Sequence, residues 1–328
     1  MLYYLKNVID NILRRGIYVR VAAALLIIVL SAPLAGCAAG ESGDGRMKVA
    51  ADIVPLADFC EQVGGSLVEV ETLVPPGASP HSYELTTGQM RFLEEADVLV
   101  MVGLDLAPWT DEVFSAVAAQ DAITVLAGEA VPAEELIAAG DDGHEHEQEA
   151  HGHEHGIYDP HVWLDPVLAM DIVKAIGEAL AEADPDNSAA YRDNAARYIQ
   201  DLTELDTSIA QQVASFEARE FVAFHSSWTY FARRYGLDQV GVIEELPGKE
   251  PSAGEIAELL DTIEARGVKV VFAEPQFSPR AAEAIAEESE GEVVVKVLDP
   301  LGDPDDPGTD TYMEMMRVNV ETMQEALK

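Results

Sequence analysis

Residues 185–216, PDNSAAYRDNAARYIQDLTELDTSIAQQVASF, carry the pattern that decides the fold. Pro185-Asp186-Asn187 suits a helix start. The apolar side chains Ala195, Tyr198, Leu202, Leu205, Ile209, Val213 and Phe216 then recur at spacings of three and four, which gives one buried stripe on a single helix. At 1.5 Å per residue, such a helix runs roughly 40 Å, long enough to act as a stiff strut along two neighbouring lobes.

On each side of this helix the chain alternates strands with helices. Before it come the short apolar runs MKVAA (47–51), VEVETLV (68–74), ADVLVMVG (96–103) and AITVLAG (122–128). After it come FVAFHS (221–226), QVGVIEEL (239–246), VKVVFAEP (268–275) and EVVVKVLDP (292–300). Such alternation predicts parallel sheets covered by helices. The expected class is α/β: two α/β lobes with parallel sheets, joined by a long rigid backbone helix, with a metal site in the cleft between the lobes. We place an N-terminal lobe at 47–185, the linking helix at 186–216 and a C-terminal lobe at 217–328. Asp165-Pro166 predicts a further helix start inside the first lobe.

The first residues read as an export signal. Lys6, Arg14, Arg15 and Arg20 precede the apolar run VAAALLIIVLSAPLA (21–35), which is short for a membrane span and carries Pro33. The run ends at Leu34-Ala35-Gly36-Cys37, which resembles a lipobox, so the expected products are a signal peptide over 1–36 and a lipid on Cys37. Residues 37–46, with Gly and Ser and little that is apolar, form a flexible tether. Lipidation would hold the protein outside the cytoplasm, anchored to the cell membrane.

The formal charge of −40 excludes nucleic acid as a partner. With Cys37 used for lipid, Cys60 stands alone and no intrachain disulfide can form. Its setting, DFCEQVGG, suits a small buried residue.

The eight histidines sort into two kinds. His144, His146, His151, His153 and His155 lie in DDGHEHEQEAHGHEHG (141–156), which has almost nothing apolar to order it and offers many exchangeable ligand sets. His81 ends VPPGASPH, His161 follows Asp159-Pro160, and His225 lies at the carboxyl end of FVAF. Ligands of open α/β sheets gather beyond the carboxyl ends of strands. Asp299, after VVVKVL, obeys the same rule. His81, His161, His225 and Asp299 together offer a tetrahedral shell suited to Zn²⁺. Glu274, in FAEPQF, is a further strand-end carboxylate, placed as an acceptor for a histidine N–H or as an alternative ligand. Trp163 and Trp228 fit either a cleft wall or a packed core.

Five segments carry a resemblance: PPGASPHSYELT (75–86), DPHVWLDP (159–166), FHSSWTYFARRYGL (224–237), FAEPQFSPR (272–280) and LDPLG (298–302). In this order they resemble the metal-specific solute-binding lipoproteins of bacterial zinc and manganese ABC importers, the ZnuA-type branch. The resemblance implies metal bound by residues matching His81, His161, His225 and Asp299, and a monomer that delivers Zn²⁺ to an ABC permease driven by its ATPase. It also implies the zinc branch, because His225 stands where manganese-binding members tend to have glutamate and because a His-rich loop precedes the second motif. The chain departs from zinc-type members that have a disulfide in the second lobe. A manganese- or iron-binding member, and a surface adhesin or zinc-buffering lipoprotein, are the alternatives. An enzyme is not expected: four protein ligands close the zinc shell, and neither HExxH nor GxSxG occurs. There is no phosphate-binding GxxxxGK[ST] either, so energy must come from a partner.

Overall fold

Val49, Ala51, Val98 and Val100 have no exposed surface, and they lie on parallel strands that run through the middle of the first sheet. A computed structural model describes residues 45–110, 113, 122–139, 157–289 and 292–328. The expected signal segment 1–36 with Cys37, and the His-rich segment 141–156, lie outside the described residues. The first sheet contains β1 (Met47–Ala51), β2 (Val68–Thr72), β3 (Val98–Met101) and β4 (Ile123–Leu126), in the order β2-β1-β3-β4. The second contains β5 (Glu220–Ala223), β6 (Asp238–Val242), β7 (Val270–Ala273) and β8 (Val294–Val297), in the order β6-β5-β7-β8. All pairings are parallel.

The two sheets therefore repeat one topology. In each, the first strand pairs outward with the second, and the chain then crosses back to the other side. The strand order reverses between β1 and β3, and again between β5 and β7. At such switch points the carboxyl ends of neighbouring strands splay apart and leave a crevice.

Helices α1 (Val54–Gly64), α2 (Thr87–Leu93), α3 (Pro166–Ala183) and α4 (Ser188–Val213) belong to the first half and its exit. Helices α5 (Thr229–Tyr235), α6 (Ala253–Arg266), α7 (Arg280–Glu288) and α8 (Tyr312–Ala326) follow. Asp165 caps α3 through its side chain, which accepts from Val167 N, and Pro166 supplies the fixed φ of the first turn. The long helix α4 has 26 residues and ends at Val213, three short of the Phe216 that the stripe suggested. Phe216 still packs, because the chain turns after Val213 and keeps its ring buried. Every residue of the expected stripe is buried, with Tyr191 added at its start.

Two features fix α4 against its neighbours. A Cβ on Gly177 would come within 2.8 Å of Ala195 Cβ, so glycine on α3 and alanine on α4 let the two backbones approach closely. Asp58 on α1 accepts from Tyr198 Oη of α4 at 3.0 Å, from Gln62 Nε2 at 2.9 Å and from the backbone N of Tyr312, which opens α8, at 3.0 Å. One buried carboxylate thus joins three helices from both halves of the chain.

Asp52, directly after β1, is the least comfortable buried carboxyl. It is 2 % exposed, with Oδ2 accepting from Val102 N at 2.7 Å and Oδ1 without a partner among the described residues. Burial pushes its pKa up to about 7, against hydrogen bonds from the backbone that pull it down. Folding then takes up a proton between about pH 4 and 7. The favourable contribution is complete below the unfolded pKa of about 3.9 and is lost as the pH rises through about 7. Asp52→Asn keeps the acceptor for Val102 and removes the charge. Urea unfolding should show the variant gaining on the wild type from pH 5 to pH 8, by about 3 kcal/mol. Equal curves at the two pH values would mean that Asp52 stays ionised in the folded chain.

Candidate metal centre

Three loops bring His81, His161 and His225 together, two of them following strands. His81 follows β2 in a run of turns, in which Ala78 N bonds to Pro75 O and both Ser82 N and Tyr83 N bond to Ser79 O. His161 sits just before the single 3-10 turn Val162–Leu164, which leads into the cap of α3. His225 lies between the end of β5 and the 3-10 turn Ser226–Trp228. The imidazole centroids form a near-equilateral triangle with sides of 5.4, 5.4 and 5.0 Å. One nitrogen from each ring lies within 4.8 Å of the other two. His161 and His225 are each 4 % exposed, and His81 is half-buried.

The orientation of two rings is imposed by carboxylates. Asp159 Oδ1 accepts from His161 Nδ1 at 2.8 Å and also from the backbone N of His161 at 2.9 Å. Glu274, the residue after β7, reaches across the β5/β7 switch point, and its Oε1 accepts from His225 Nδ1 at 2.9 Å and from Ser227 Oγ at 3.2 Å. With Nδ1 carrying the proton in both rings, both Nε2 lone pairs face the cleft. They are 3.2 Å apart. Two nitrogens bound to one tetrahedral zinc, each at about 2.0–2.1 Å, are about 3.3 Å apart, so the pair already has the spacing of a zinc edge. Without a cation between them, two lone pairs at this distance repel. The donor set and its spacing fit Zn²⁺.

The segment carrying His161 is stitched to the second half of the chain. Trp163 Nε1 donates to Pro300 O at 2.8 Å, and Tyr312 Oη donates to Trp163 O at 2.8 Å. Tyr230 Oη donates to Asp159 O at 2.9 Å and accepts from Ile137 N at 3.1 Å. Arg234 Nε pairs with Asp165 Oδ2 at 2.7 Å. Burial raises the Asp165 carboxyl above its usual range, against the pull of that guanidinium. Glu244, beyond β6, is likewise raised by burial, and its carboxylate accepts from Gly248 N at 2.7 Å.

The resulting cleft holds about 230 Å³ of space, part of it open to solvent. Trp163 lines it and contacts the His161 ring at a centroid distance of 5.3 Å. Trp228 does not line it. That side chain is fully buried against Phe231, so the two tryptophans divide between wall and core. Asp299 lies outside the convergent group. Its Oδ1 accepts from Gln276 Nε2 at 2.8 Å and from Leu301 N at 3.0 Å, and among the described residues the convergent group holds the three histidines alone. His144, His146, His151, His153 and His155 lie outside the described residues.

Residues 49–326 match the family described as ZnuA, zinc-uptake complex component A, periplasmic. The chain belongs to the ZnuA family. It is 29% identical over 313 residues to the high-affinity zinc uptake system protein ZnuA of Bacillus subtilis (strain 168), covering 95% of this chain and 97% of that one. It is 28% identical over 297 residues to the zinc-binding lipoprotein AdcA of Streptococcus pneumoniae (strain ATCC BAA-255 / R6), covering 89% of this chain and 58% of the relative. The chain thus spans little more than half the length of AdcA. A crystal structure of ZnuA matches with a TM-score of 0.73 at 33% identity, over 86% of this chain and all of that one.

Two residues of this ZnuA-family centre escaped the reading of the sequence. Asp159 was visible in DPH, two positions before a candidate ligand, and a carboxylate that close is able to hold a histidine Nδ1–H. Gln276 left no such signal, because an amide in EPQF has no titratable or metal-seeking character. The carboxylate–imidazole pairs predict that Glu274→Gln, which keeps the shape and loses the charge, lowers zinc affinity about 10- to 100-fold. Competition against a chromophoric chelator measures this, and an unchanged affinity would remove Glu274 from the centre.

Proposed function

We propose that this protein captures Zn²⁺ outside the cytoplasmic membrane and hands it to an ABC permease driven by a separate ATPase. It is a binding component and not an enzyme. The observation that carries the reading is the pair of imidazole Nε2 atoms 3.2 Å apart, each ring held through Nδ1 by a carboxylate, with His81 completing the triangle. His81, His161 and His225 are the proposed ligands, with Asp159 and Glu274 orienting two of them. Three imidazoles favour zinc over manganese, whose sites are richer in oxygen. The relatives named for zinc binding and zinc uptake support the same cation.

Cys37 is the proposed lipid anchor, in keeping with a relative named as a lipoprotein. Cys37→Ala should release the protein from the membrane fraction, and a variant still lipid-labelled and sedimenting with membranes would count against the anchor.

The His-rich segment is proposed as a second, weaker zinc store. A segment with few apolar residues must be ordered on binding, which lowers its affinity, whereas the preorganised triangle loses binding energy with any one ligand. Calorimetric titration separates the two. Deleting 141–156 should leave one tight site and remove only weaker zinc, and His161→Ala should abolish the tight site with the segment intact. The reverse pattern would mean that the tight site is in the segment.

A further inference from the structure

The Nε2 lone pairs of His161 and His225 repel each other at 3.2 Å until a cation joins them, so the fold must hold both rings in place against that repulsion. Each ring is held by one carboxylate. Glu274 is itself fixed by Ser227 Oγ, two positions from His225. Asp159 has a harder task, because its Oδ1 must meet both the ring and the backbone N of His161. What aims that carboxylate is the backbone on either side of it.

Both backbone polar groups of Asp159 are taken. Its N–H donates to Ile137 O at 2.9 Å, and its C=O accepts from Tyr230 Oη at 2.9 Å. The same hydroxyl accepts from Ile137 N at 3.1 Å. Tyr230 is fully buried, and burial pushes its phenol up to about 12, so at neutral pH the hydroxyl keeps its proton and can donate and accept at once. Pro160 follows directly, with its own φ fixed. With the peptide groups on both sides of the Asp159 Cα held, the direction of its side chain is set before the chain reaches His161.

The hydroxyl that does this comes from the element that carries the other ligand. His225 opens the 3-10 turn Ser226–Trp228, Ser227 N donates to His225 O at 2.8 Å, and α5 follows with Tyr230 as its second residue. Arg233, one turn on, lies over the Tyr230 ring at 5.3 Å from its centroid and pairs with Glu135, which keeps the same segment against α5. One short stretch of chain thus bears the first imidazole and sets the carboxylate of the second.

We propose that Tyr230 is a positioning residue that sets the spacing of the two Nε2 atoms, and through it the preference for a small cation. Tyr230 does not line the cleft and acts through Asp159. The proposal deepens the zinc-binding reading of the histidines and rests on it. Without the hydroxyl, Asp159 O and Ile137 N each lose a buried partner, the carboxylate gains freedom, and the repelling rings move apart. A wider pair suits an ion that makes longer bonds to nitrogen.

Tyr230→Phe removes the hydroxyl and keeps the buried ring, and with it the packing. Tyr235→Phe, on the same helix, removes a hydroxyl that donates to Asp206 at 2.9 Å and serves as the control for a lost hydrogen bond. Both are titrated in competition with Zn²⁺ and with the larger Cd²⁺, and both are examined by nitrogen-15 spectra of the imidazoles. Tyr230→Phe should lower zinc affinity about tenfold and cadmium affinity by less, and should move the His161 Nδ1–H signal more than that of His225. Tyr235→Phe should leave both affinities within about twofold and both signals in place. An equal loss for the two ions, no loss for either, or the same pattern in Tyr235→Phe would overturn the proposal. Failure of the zinc-binding reading looks different, since His161→Ala would then bind zinc as tightly as the wild type does.

Discussion

A proton on Nδ1 of His161 and of His225 decides what the cleft can do. Each ring has two nitrogens, and the carboxylates of Asp159 and Glu274, at 2.8 and 2.9 Å, hold one of them as a donor. The remaining lone pairs point at each other across 3.2 Å. Two acceptors that close, on two buried rings, are unfavourable until a cation stands between them. The same carboxylates offset part of the charge that the cation brings. Specificity for a divalent ion with a taste for imidazole follows from ring orientation, before any particular loop length or volume is considered.

The fold supplies that orientation through its switch points. His225 and Glu274 come from β5 and β7, the strands between which the order of the second sheet reverses, so their side chains meet without a long reach. His161 comes from the other half of the chain, on a segment tied to Pro300, Tyr312, Tyr230 and Arg234. The long helix α4, α1 and α8 share Asp58, which connects the outer helices of both halves. The loop that carries His161 is held by hydrogen bonds to buried groups, in addition to the hydrophobic packing beneath it.

Much of this was legible in the sequence because it depends on periodicity. Six of the eight strands fall within the apolar runs and β5 and β6 begin one residue ahead of theirs, and the stripe on α4 is buried residue for residue. His81 and His225 were legible because strand ends in open α/β sheets converge, and His161 because it stands in a loop just ahead of the Asp165-Pro166 helix start. What was not legible depends on the direction of a side chain. Asp299 ends its strand as expected, yet its carboxylate turns to Gln276 and Leu301, a choice made by Asn319, twenty residues later in the chain, whose side chain holds the Asp299 backbone N and O. Trp163 and Trp228 each neighbour a histidine in sequence, and only the packing of Trp228 on Phe231 separates core from wall. The end of α4 at Val213 instead of Phe216 is of the same kind, since a turn can keep a ring buried as well as a helix can.

The central claim is that zinc binds Nε2 of His161 and His225 while Nδ1 of each stays protonated on its carboxylate. Nitrogen-15 spectra of the imidazoles in the zinc-loaded protein test it most directly, with His161→Ala and His225→Ala assigning the rings. The account predicts metal-bound Nε2 and a retained, strongly deshielded Nδ1–H on both rings. Zinc on Nδ1 of either ring, or two rings unchanged on loading, would contradict it.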